Sequence, residues 1–281
     1  MRKNTLINKV FNKDLSFRNK VYFVFNGMLV KLFCNRLNVV HVVEFPKCGG
    51  SWVRNMIRVY LGKELFLNDR FISNDDVVLT HKQFTGIYKK PVVVFRDPRD
   101  MYVSFYHYET SYQNKSHKPA IYKYFTHDEK LDVRENFANY LRAKLLKQSH
   151  PWFYYSQFVN GWVSRPNICK IRYEDCLEDA EKELIKIIRY IDKDVDLDKI
   201  ASTVEETSFA SITKKKYGVS RGAGEADNTK FHRKGVAGDW KNYFNEETCY
   251  LIDRLEGETL KVLGYENDNS WIESFISKLN S

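Results

Sequence analysis

A predicted strand, a glycine-containing turn and a predicted helix follow one another in residues 41–60, and this order constrains the fold more than any other feature. Residues 41–45, His-Val-Val-Glu-Phe, form a mostly apolar run typical of a buried strand, and apolar side chains recur at helical spacing from residue 52 onward. Two adjacent glycines let the turn aim its N–H groups at one point. The helix start adds donors and the positive end of its dipole, and Lys47 adds a cation. The stretch therefore predicts a site for a phosphate or another tetrahedral oxyanion.

The order of residues in this turn differs from the loop of nucleotide triphosphatases. In that loop, G-x-x-x-x-G-K-[ST], the lysine follows the glycines, whereas here Lys47 precedes them. Residues 46–52 fit Pro-Lys-x-Gly-x-[Ser/Thr]-Trp, which resembles the 5′-phosphosulfate loop of sulfotransferases that use 3′-phosphoadenosine 5′-phosphosulfate (PAPS) as sulfuryl donor. The resemblance implies that the donor is contacted by Lys47, Cys48, Gly49, Gly50, Ser51 and Trp52.

Two further predicted strands end in side chains that can do chemistry. Residues 77–80 and 91–95 are short apolar runs, followed by His81 and Arg96 respectively. Ligands of open α/β sheets bind at the carboxyl ends of the strands, so Lys47, His81 and Arg96 should converge. A histidine taken alone more often caps an element or fills a core, but the position beside a phosphate loop favours a general base.

Two segments resemble the parts of sulfotransferases that hold the donor's 3′-phosphate. Residues 96–100, Arg-Asp-Pro-Arg-Asp, open a predicted helix, and Ser104 follows Arg96 by eight residues. A guanidinium and a hydroxyl near a helix start suit a dianionic phosphate. Residues 233–244 reproduce the family pattern Arg-Lys-Gly-x-x-Gly-Asp-Trp-Lys-Asn-x-Phe at every specified position. The resemblance implies a cage around the 3′-phosphate formed by Arg96, Ser104, Arg233, Lys234 and Gly235.

Single residues in two other places resemble the adenine side of the family's donor site. Tyr173 ends a predicted strand at residues 167–173, and Phe209 ends the sequence Thr-Ser-Phe. The resemblance implies that both rings, with Trp52, pack against adenine. Taken alone, Tyr173 also fits the end of a strand and Phe209 also fits a core residue.

Aromatic residues are dense in residues 152–158 and 102–108. Such a cluster is usually core, but it could equally form the wall of an apolar acceptor pocket. Three further segments, residues 128–148, 246–263 and 270–279, have the apolar spacing of helices, and we interpret them as structural.

Length and composition indicate one large globular domain, with or without a small appendage. The chain has 281 residues, of which 43% are hydrophobic and 29% charged. We place the sulfotransferase domain at residues 39–281 and treat residues 1–38 as a basic N-terminal segment packed on it or appended to it. The richest apolar segment, residues 21–34, is shorter than the ~20 residues of a membrane span, and no signal peptide is recognised.

The five cysteines show neither the spacing of metal ligands nor that of a disulfide framework. This favours a reducing compartment, so we predict a cytoplasmic location and no metal. Cys48 lies in the oxyanion loop, where a helix start could lower the pKa of its thiol. We favour the simpler interpretation of Cys48 as a small residue that fits the turn.

The net charge of +9 is concentrated in two places. Residues 1–20 hold six Lys or Arg against one Asp, and residues 212–241 hold eight against three acidic residues. Two local patches favour a polyanionic small ligand over a uniformly basic nucleic-acid binder, so no nucleic-acid partner is predicted. We interpret the first patch as a solvated tail, and a weak peripheral contact with an anionic membrane is the alternative.

The motifs together span residues 46–244 and predict a PAPS-dependent O-sulfotransferase. The expected architecture is a single α/β domain with a central parallel sheet flanked by helices, the P-loop nucleotide-kinase-like fold. In this hypothesis His81 is the general base for a hydroxyl acceptor, which is a phenol, a lipid-like alcohol or a carbohydrate, and Lys47 stabilises charge on the bridging oxygen. The products are a sulfate ester and 3′,5′-ADP, and no metal is required.

The chain departs from the family pattern in three places. Leu79 stands where cytosolic members carry the lysine of Lys-Thr-His, so one cation near the sulfuryl group is missing. Gly50 and Ser51 replace paired threonines, which removes one hydroxyl contact. The family's dimerisation pattern fails after Lys241, so no oligomeric state is predicted.

Three other functions remain open from the sequence. A nucleotide or small-molecule kinase would share the fold, but it should prefer a triphosphate with magnesium and would have no use for a 3′-phosphate cage. A non-catalytic binding protein would keep the cage and tolerate replacement of His81. A nucleic-acid or membrane-surface module would rely on the N-terminal patch and bind in a steeply salt-dependent way.

Overall fold

The computed structural model describes residues 38–63, 76–111, 120–148, 150–213 and 235–280. Within these ranges the strands are β1 (Val40–Glu44), β2 (Val77–Thr80), β3 (Pro91–Phe95) and β4 (Cys169–Arg172). The longer helices are α1 (Gly50–Tyr60), α2 (Pro98–Thr110), α3 (Val133–Leu146), α4 (Tyr155–Trp162), α6 (Ala180–Tyr190), α7 (Leu197–Glu206), α9 (Glu246–Val262) and α10 (Ser270–Leu279). Shorter helices are α5 (Tyr173–Glu178) and α8 (Phe209–Thr213), and 3₁₀ turns lie at Ala120–Lys123 and Asp239–Asn242.

The described strands form one parallel sheet in the order β2-β1-β3-β4. Every residue of β1 and β3 is buried, because helices cover both faces, as parallel sheets require. Val42 lies opposite Val92 and Val94 lies opposite Ile171. These four side chains belong to the core under α1 and α6. The predicted α/β fold, with a parallel sheet flanked by helices, is confirmed.

The other face of the sheet carries an aromatic core. Val43, Val93 and Phe95 alternate with the residues of the first core, as the two-residue period of a strand dictates. They pack with side chains from α2, α3, α4, α9 and α10. Four aromatic residues of the two predicted clusters are buried here, so the core interpretation holds for Tyr102, Tyr106, Tyr155 and Phe158. Trp152 instead is 62% exposed.

Several predicted boundaries shift for identifiable reasons. The helix predicted at residues 128–148 begins at Val133, because Asp132 caps it and forms a capping box with Glu135. The helical pattern after Tyr173 divides into α5 and α6 at Asp179, whose carboxylate accepts the Lys182 amide at 2.9 Å. The two last helices agree with their predicted limits to within one residue.

A buried carboxyl group in α9 fastens this helix to α2. The Tyr102 hydroxyl donates to Oε1 of Glu256 at 3.0 Å and the Thr259 hydroxyl donates to Oε2 at 2.7 Å. Burial raises the pKa of Glu256 to about 7, against the hydrogen bonds that lower it. Because the folded-state pKa exceeds the unfolded value of 4.5, this group costs no stability at lower pH and lowers stability as the pH rises through about 7.

We therefore expect Glu256→Gln to stabilise the protein at alkaline but not at acidic pH. The difference in free energy of unfolding between variant and wild type should grow by up to about 3 kcal/mol between about pH 5 and about pH 8. Urea denaturation at both values measures it. Glu258→Gln, which changes an exposed carboxylate of the same helix, is the control and should show no such growth. An equal difference at both pH values would contradict the prediction.

Candidate active site

The carboxyl ends of β1, β2 and β3 bring three of the predicted residues to one edge of the sheet. Nη1 of Arg96, after β3, donates to the main-chain oxygen of Lys47 at 3.0 Å. Nδ1 of His81, after β2, lies 3.2 Å from the main-chain oxygen of Glu44, the last residue of β1. The convergence predicted from strand order is therefore observed, and the loop after β1 lies between the other two side chains.

Backbone geometry explains why both glycines occupy the loop. Gly49 has a φ of 98°, and a Cβ atom there would lie 2.4 Å from Cδ2 of Tyr173. A Cβ atom on Gly50 would lie 2.7 Å from Cδ of Glu44. Lys47 also has a positive φ of 77°, which is uncommon for a residue with a side chain. The tight turn thus depends on glycine for conformation at one position and for space at the next.

The loop amides are partly used within the protein. The Cys48 and Trp52 amides donate to the main-chain oxygens of Phe45 and Gly49, and the Gly50 amide donates to Oε2 of Glu44 at 2.6 Å. In the described part of the chain, the amides of Gly49 and Ser51 make no hydrogen bond. Two donors at a helix start are therefore left for an anion.

Glu44 is the site residue that the sequence analysis missed. Its carboxyl group is buried beneath the loop, 2.6 Å from the Gly50 amide and 4.0 Å from Nδ1 of His81. Burial raises the pKa of Glu44, although the charges of His81 and Lys47 and the amides of Gly50 and Cys48 act in the opposite direction. The available signal was an acidic residue inside an otherwise apolar strand next to an oxyanion loop.

His81 is held so that one ring nitrogen faces the protein. The main-chain oxygen of Glu44 has no hydrogen to donate, so Nδ1 carries the proton of the neutral ring and donates it at 3.2 Å. Nε2 then keeps its lone pair. The His81 side chain is 31% exposed, and its ring lies 6.0 Å from the ring of His150 in a perpendicular arrangement.

Arg96 is buried and fixed from several sides. The Tyr155 hydroxyl accepts from the Arg96 amide at 3.0 Å and donates to the Arg96 carbonyl at 2.9 Å. The guanidinium lies 4.2 Å from the centre of the Tyr173 ring. Nε of Arg96 is buried and has no hydrogen-bond partner in the described part of the chain, so one charged donor is left for a ligand.

Residues 96–100 and the late glycine-containing segment meet through Asp100. Its carboxylate accepts the Gly238 amide at 2.6 Å and the Trp240 amide at 2.9 Å. Arg99 binds Asp97 and lies 4.3 Å from the centre of the Trp240 ring. Two motifs far apart in sequence are thus parts of one structure, with Gly235 three residues before the anchored Gly238. Arg233 and Lys234 lie outside the described residues.

The other predicted site residues that the structure describes are buried or in contact with another ring. Ser104 is buried in α2, and Phe209 is buried at the start of α8. The Trp52 and Tyr173 rings meet edge to face at 6.0 Å between centres. The Cys48 thiol is fully buried, and burial raises its pKa despite the nearby positive charge of Arg96. Cys48 is a small residue that fits the turn.

The comparison with known families decides the identity of the fold. The chain matches the family described as the Sulfotransferase domain over residues 76–264. The chain belongs to the sulfotransferase family. The match begins after the loop of residues 46–52, so the assignment does not depend on that short motif.

Relatives of this sulfotransferase agree over most of its length. The amine sulfotransferase of Oryctolagus cuniculus is 26% identical over an alignment of 260 positions that covers 79% of this chain and 80% of the relative. The crystal structure of mouse sulfotransferase SULT7A1 complexed with PAP superposes with a TM-score of 0.60 at 21% identity, covering 88% of this chain and 92% of that one. Retinol dehydratase in complex with androsterone and PAP superposes with a TM-score of 0.54 at 17% identity, covering 80% and 81%. The sulfotransferase fold is therefore shared.

Two kinds of feature are absent from the described residues. They contain no helix that is both long and apolar enough to cross a membrane. They also contain no group of three or more His, Cys, Asp or Glu side chains placed to hold a metal ion.

We expect the Tyr155 hydroxyl to stabilise the fold through its hydrogen bonds to the backbone of Arg96. Tyr155→Phe removes one acceptor and one donor from the buried backbone of Arg96, which should lower the free energy of unfolding by about 1–3 kcal/mol. Urea denaturation measures the loss. The control is Tyr250→Phe, which removes a hydroxyl from a 53% exposed side chain. Equal stabilities of the two variants would contradict the prediction.

Proposed function

We propose that this sulfotransferase transfers a sulfuryl group from PAPS to a hydroxyl group of a small-molecule acceptor. The observation that carries the proposal is the convergence of an oxyanion loop, an imidazole and a buried guanidinium at one sheet edge. Membership of the sulfotransferase family supports the reaction class, and the neighbours complexed with PAP, which is 3′,5′-ADP, support the donor.

The donor would be held by charge and by backbone donors. Loop residues 47–52, with the unpaired amides of Gly49 and Ser51, suit the 5′-phosphosulfate end. Nε of Arg96 and the hydroxyl of Ser104 suit the 3′-phosphate, to which the motif adds Arg233, Lys234 and the Gly235 amide. Adenine would contact the rings of Trp52, Tyr173 and Phe209. No metal is needed, because cations and amides supply the positive potential.

The transfer requires one proton acceptor and one stabiliser of the leaving group. Nε2 of His81 takes the proton of the acceptor hydroxyl, whose oxygen then forms the new bond to sulfur. The bond between sulfur and the bridging oxygen breaks, and its electron pair stays on the 5′-phosphate of the departing nucleotide. Lys47 stabilises that charge. Its Nζ lies 4.9 Å from the centre of the Tyr108 ring.

The acceptor is proposed to be a small molecule rather than a glycan. Androsterone, bound in one neighbour, is compatible with the half-buried Tyr108 and the exposed Trp152. A hydroxyl acceptor follows from the His81 base, and a primary amine is the second candidate because one relative is named amine sulfotransferase. We further propose a cytoplasmic domain at residues 39–281, preceded by the basic segment 1–38.

Donor recognition can be tested without knowing the acceptor. Isothermal titration should show that wild type binds 3′,5′-ADP at least about tenfold more tightly than 5′-AMP, because a desolvated charged pair is lost with the 3′-phosphate. Arg233→Ala should remove this preference.

The control for this titration is Arg254→Ala, which deletes an exposed arginine of α9 and should keep the preference. Equal binding of the two nucleotides by wild type would refute the donor assignment and favour a kinase or surface-binding function.

The base can be tested once an acceptor is found among phenols, alcohols and amines. His81→Gln should lower kcat by about 100-fold to 10,000-fold, because proton removal becomes unassisted, while the affinity for 3′,5′-ADP stays within about twofold. Single-turnover kinetics with labelled PAPS measure the rate. His127→Gln is the control, because His127 bonds to Tyr106 rather than to the loop. An unchanged rate would identify a different base.

A further inference from the structure

We propose that Glu44 is a positioning residue for sulfuryl transfer: its carboxylate holds the oxyanion loop through the Gly50 amide and supports His81 through Nδ1. The inference rests on the proposed role of His81 as general base. It assigns one side chain to both halves of the reaction, since the loop faces the donor and the imidazole faces the acceptor.

Glu44 lies close to both the oxyanion loop and the imidazole of His81. Oε2 of Glu44 lies 2.6 Å from the Gly50 amide, and Oε1 lies 4.0 Å from Nδ1 of His81. The main-chain oxygen of the same residue lies 3.2 Å from Nδ1. His81 Nδ1 therefore faces both the carbonyl and the carboxylate of a single residue. Glu44 is therefore the one side chain that lies between the Gly50 amide and the ring in these contacts.

Burying the negative charge of Glu44 costs free energy, and holding the Gly50 amide does not require that charge. Glu44 is 4% exposed at the end of a fully buried strand, where an unpaired carboxylate is unfavourable. Capping the Gly50 amide needs only an acceptor, which a neutral amide or hydroxyl side chain supplies. The added property of a carboxylate is its negative charge, and the group that gains a positive charge during the proposed reaction is His81.

Other charged or titratable groups surround Glu44 and His81. On Glu44 they are the loop residues Lys47 and Cys48 and, from α1, Arg54. On the far side of His81 stands His150, which itself faces the buried Glu109 and Lys144. Of the groups acting directly on the imidazole, Glu44 is negative and His150 adds no attraction for a proton. The carboxylate is therefore the attractive partner of the imidazolium.

The proton does not pass to Glu44. When the acceptor hydroxyl gives its proton to Nε2, the ring keeps its other proton on Nδ1, donates it to the Glu44 carbonyl, and becomes positive. The nearby buried carboxylate stabilises that charge. The electron pair of the broken hydroxyl bond forms the bond to sulfur, so atoms and charges balance within the proposed transfer.

Glu44→Gln tests the charge while keeping an acceptor for the Gly50 amide. We expect kcat to fall about tenfold, the acidic limb of the rate profile to move to lower pH, and the affinity for 3′,5′-ADP to stay within about twofold. The direction of the pH shift follows because the variant lacks the negative charge 4.0 Å from Nδ1 of His81. The matched control is Glu256→Gln, which neutralises a second buried carboxyl group and should leave the pH profile of the rate unchanged.

A double-mutant cycle separates this role from a structural one. If Glu44 acts through His81, Glu44→Gln should cost little further activity in a His81→Gln background. An equal cost in both backgrounds, or a loss of affinity for 3′,5′-ADP with an unchanged pH profile, would overturn the proposal and leave Glu44 as a support of the loop only.

A measurement on wild type covers the case in which the variant does not fold. Ring ¹⁵N shifts of His81 should show the tautomer protonated at Nδ1, and the opposite tautomer would overturn the proposal. If His81→Gln leaves kcat unchanged, the assignment of the base fails first, and the role of Glu44 falls with it. If His81→Gln lowers kcat but Glu44→Gln does not, the proposed function stands and only the inference about Glu44 fails.

Discussion

The hydrogen bond from Arg96 to the main-chain oxygen of Lys47 joins the two central strands at the edge where the site lies. It requires a parallel pairing of β1 and β3, with His41 opposite Pro91, so that both strands end at the same level. It also requires the positive φ of Lys47, which turns the carbonyl towards Arg96 while the ammonium group reaches Tyr108. Lys47 thus makes a structural contact through its main chain and a cation–π contact through its side chain.

Burying so many charged groups at this edge is possible because nearly every one has a partner. Asp97 and Glu266 both bind Arg99, and Asp100 accepts two amides of the segment around Trp240. Removing one member of such a set would leave its partner buried and unpaired, which is strongly destabilising. The network therefore fixes the relative positions of α2, the glycine-containing segment and the C-terminal helices. Nε of Arg96 is a donor that this network leaves unsatisfied.

Much of this arrangement could be predicted from the sequence, because charges and glycines at fixed spacing encode an anion site. β2 and β3 have the predicted limits, and α1 begins in the predicted turn. Glu44 was missed because one acidic residue in an apolar run reads as the end of a strand, and its contacts with Gly50 and His81 are tertiary. The burial of the Cys48 thiol could not be predicted either, because it depends on tertiary packing that the sequence of a turn does not reveal.

The two sides of the site differ in how they are held together. On the proposed donor side, hydrogen bonds fix the key atoms, such as those of Tyr155 with both backbone groups of Arg96. Around the proposed acceptor side, several contacts are ring packing, as between Phe105 and Tyr108 or His81 and His150. Ring packing tolerates changes of shape more easily than a hydrogen-bond network tolerates the loss of a partner. Acceptor preference can therefore diverge in this fold by exchange of aromatic residues, while the oxyanion loop and its buried supports stay unchanged.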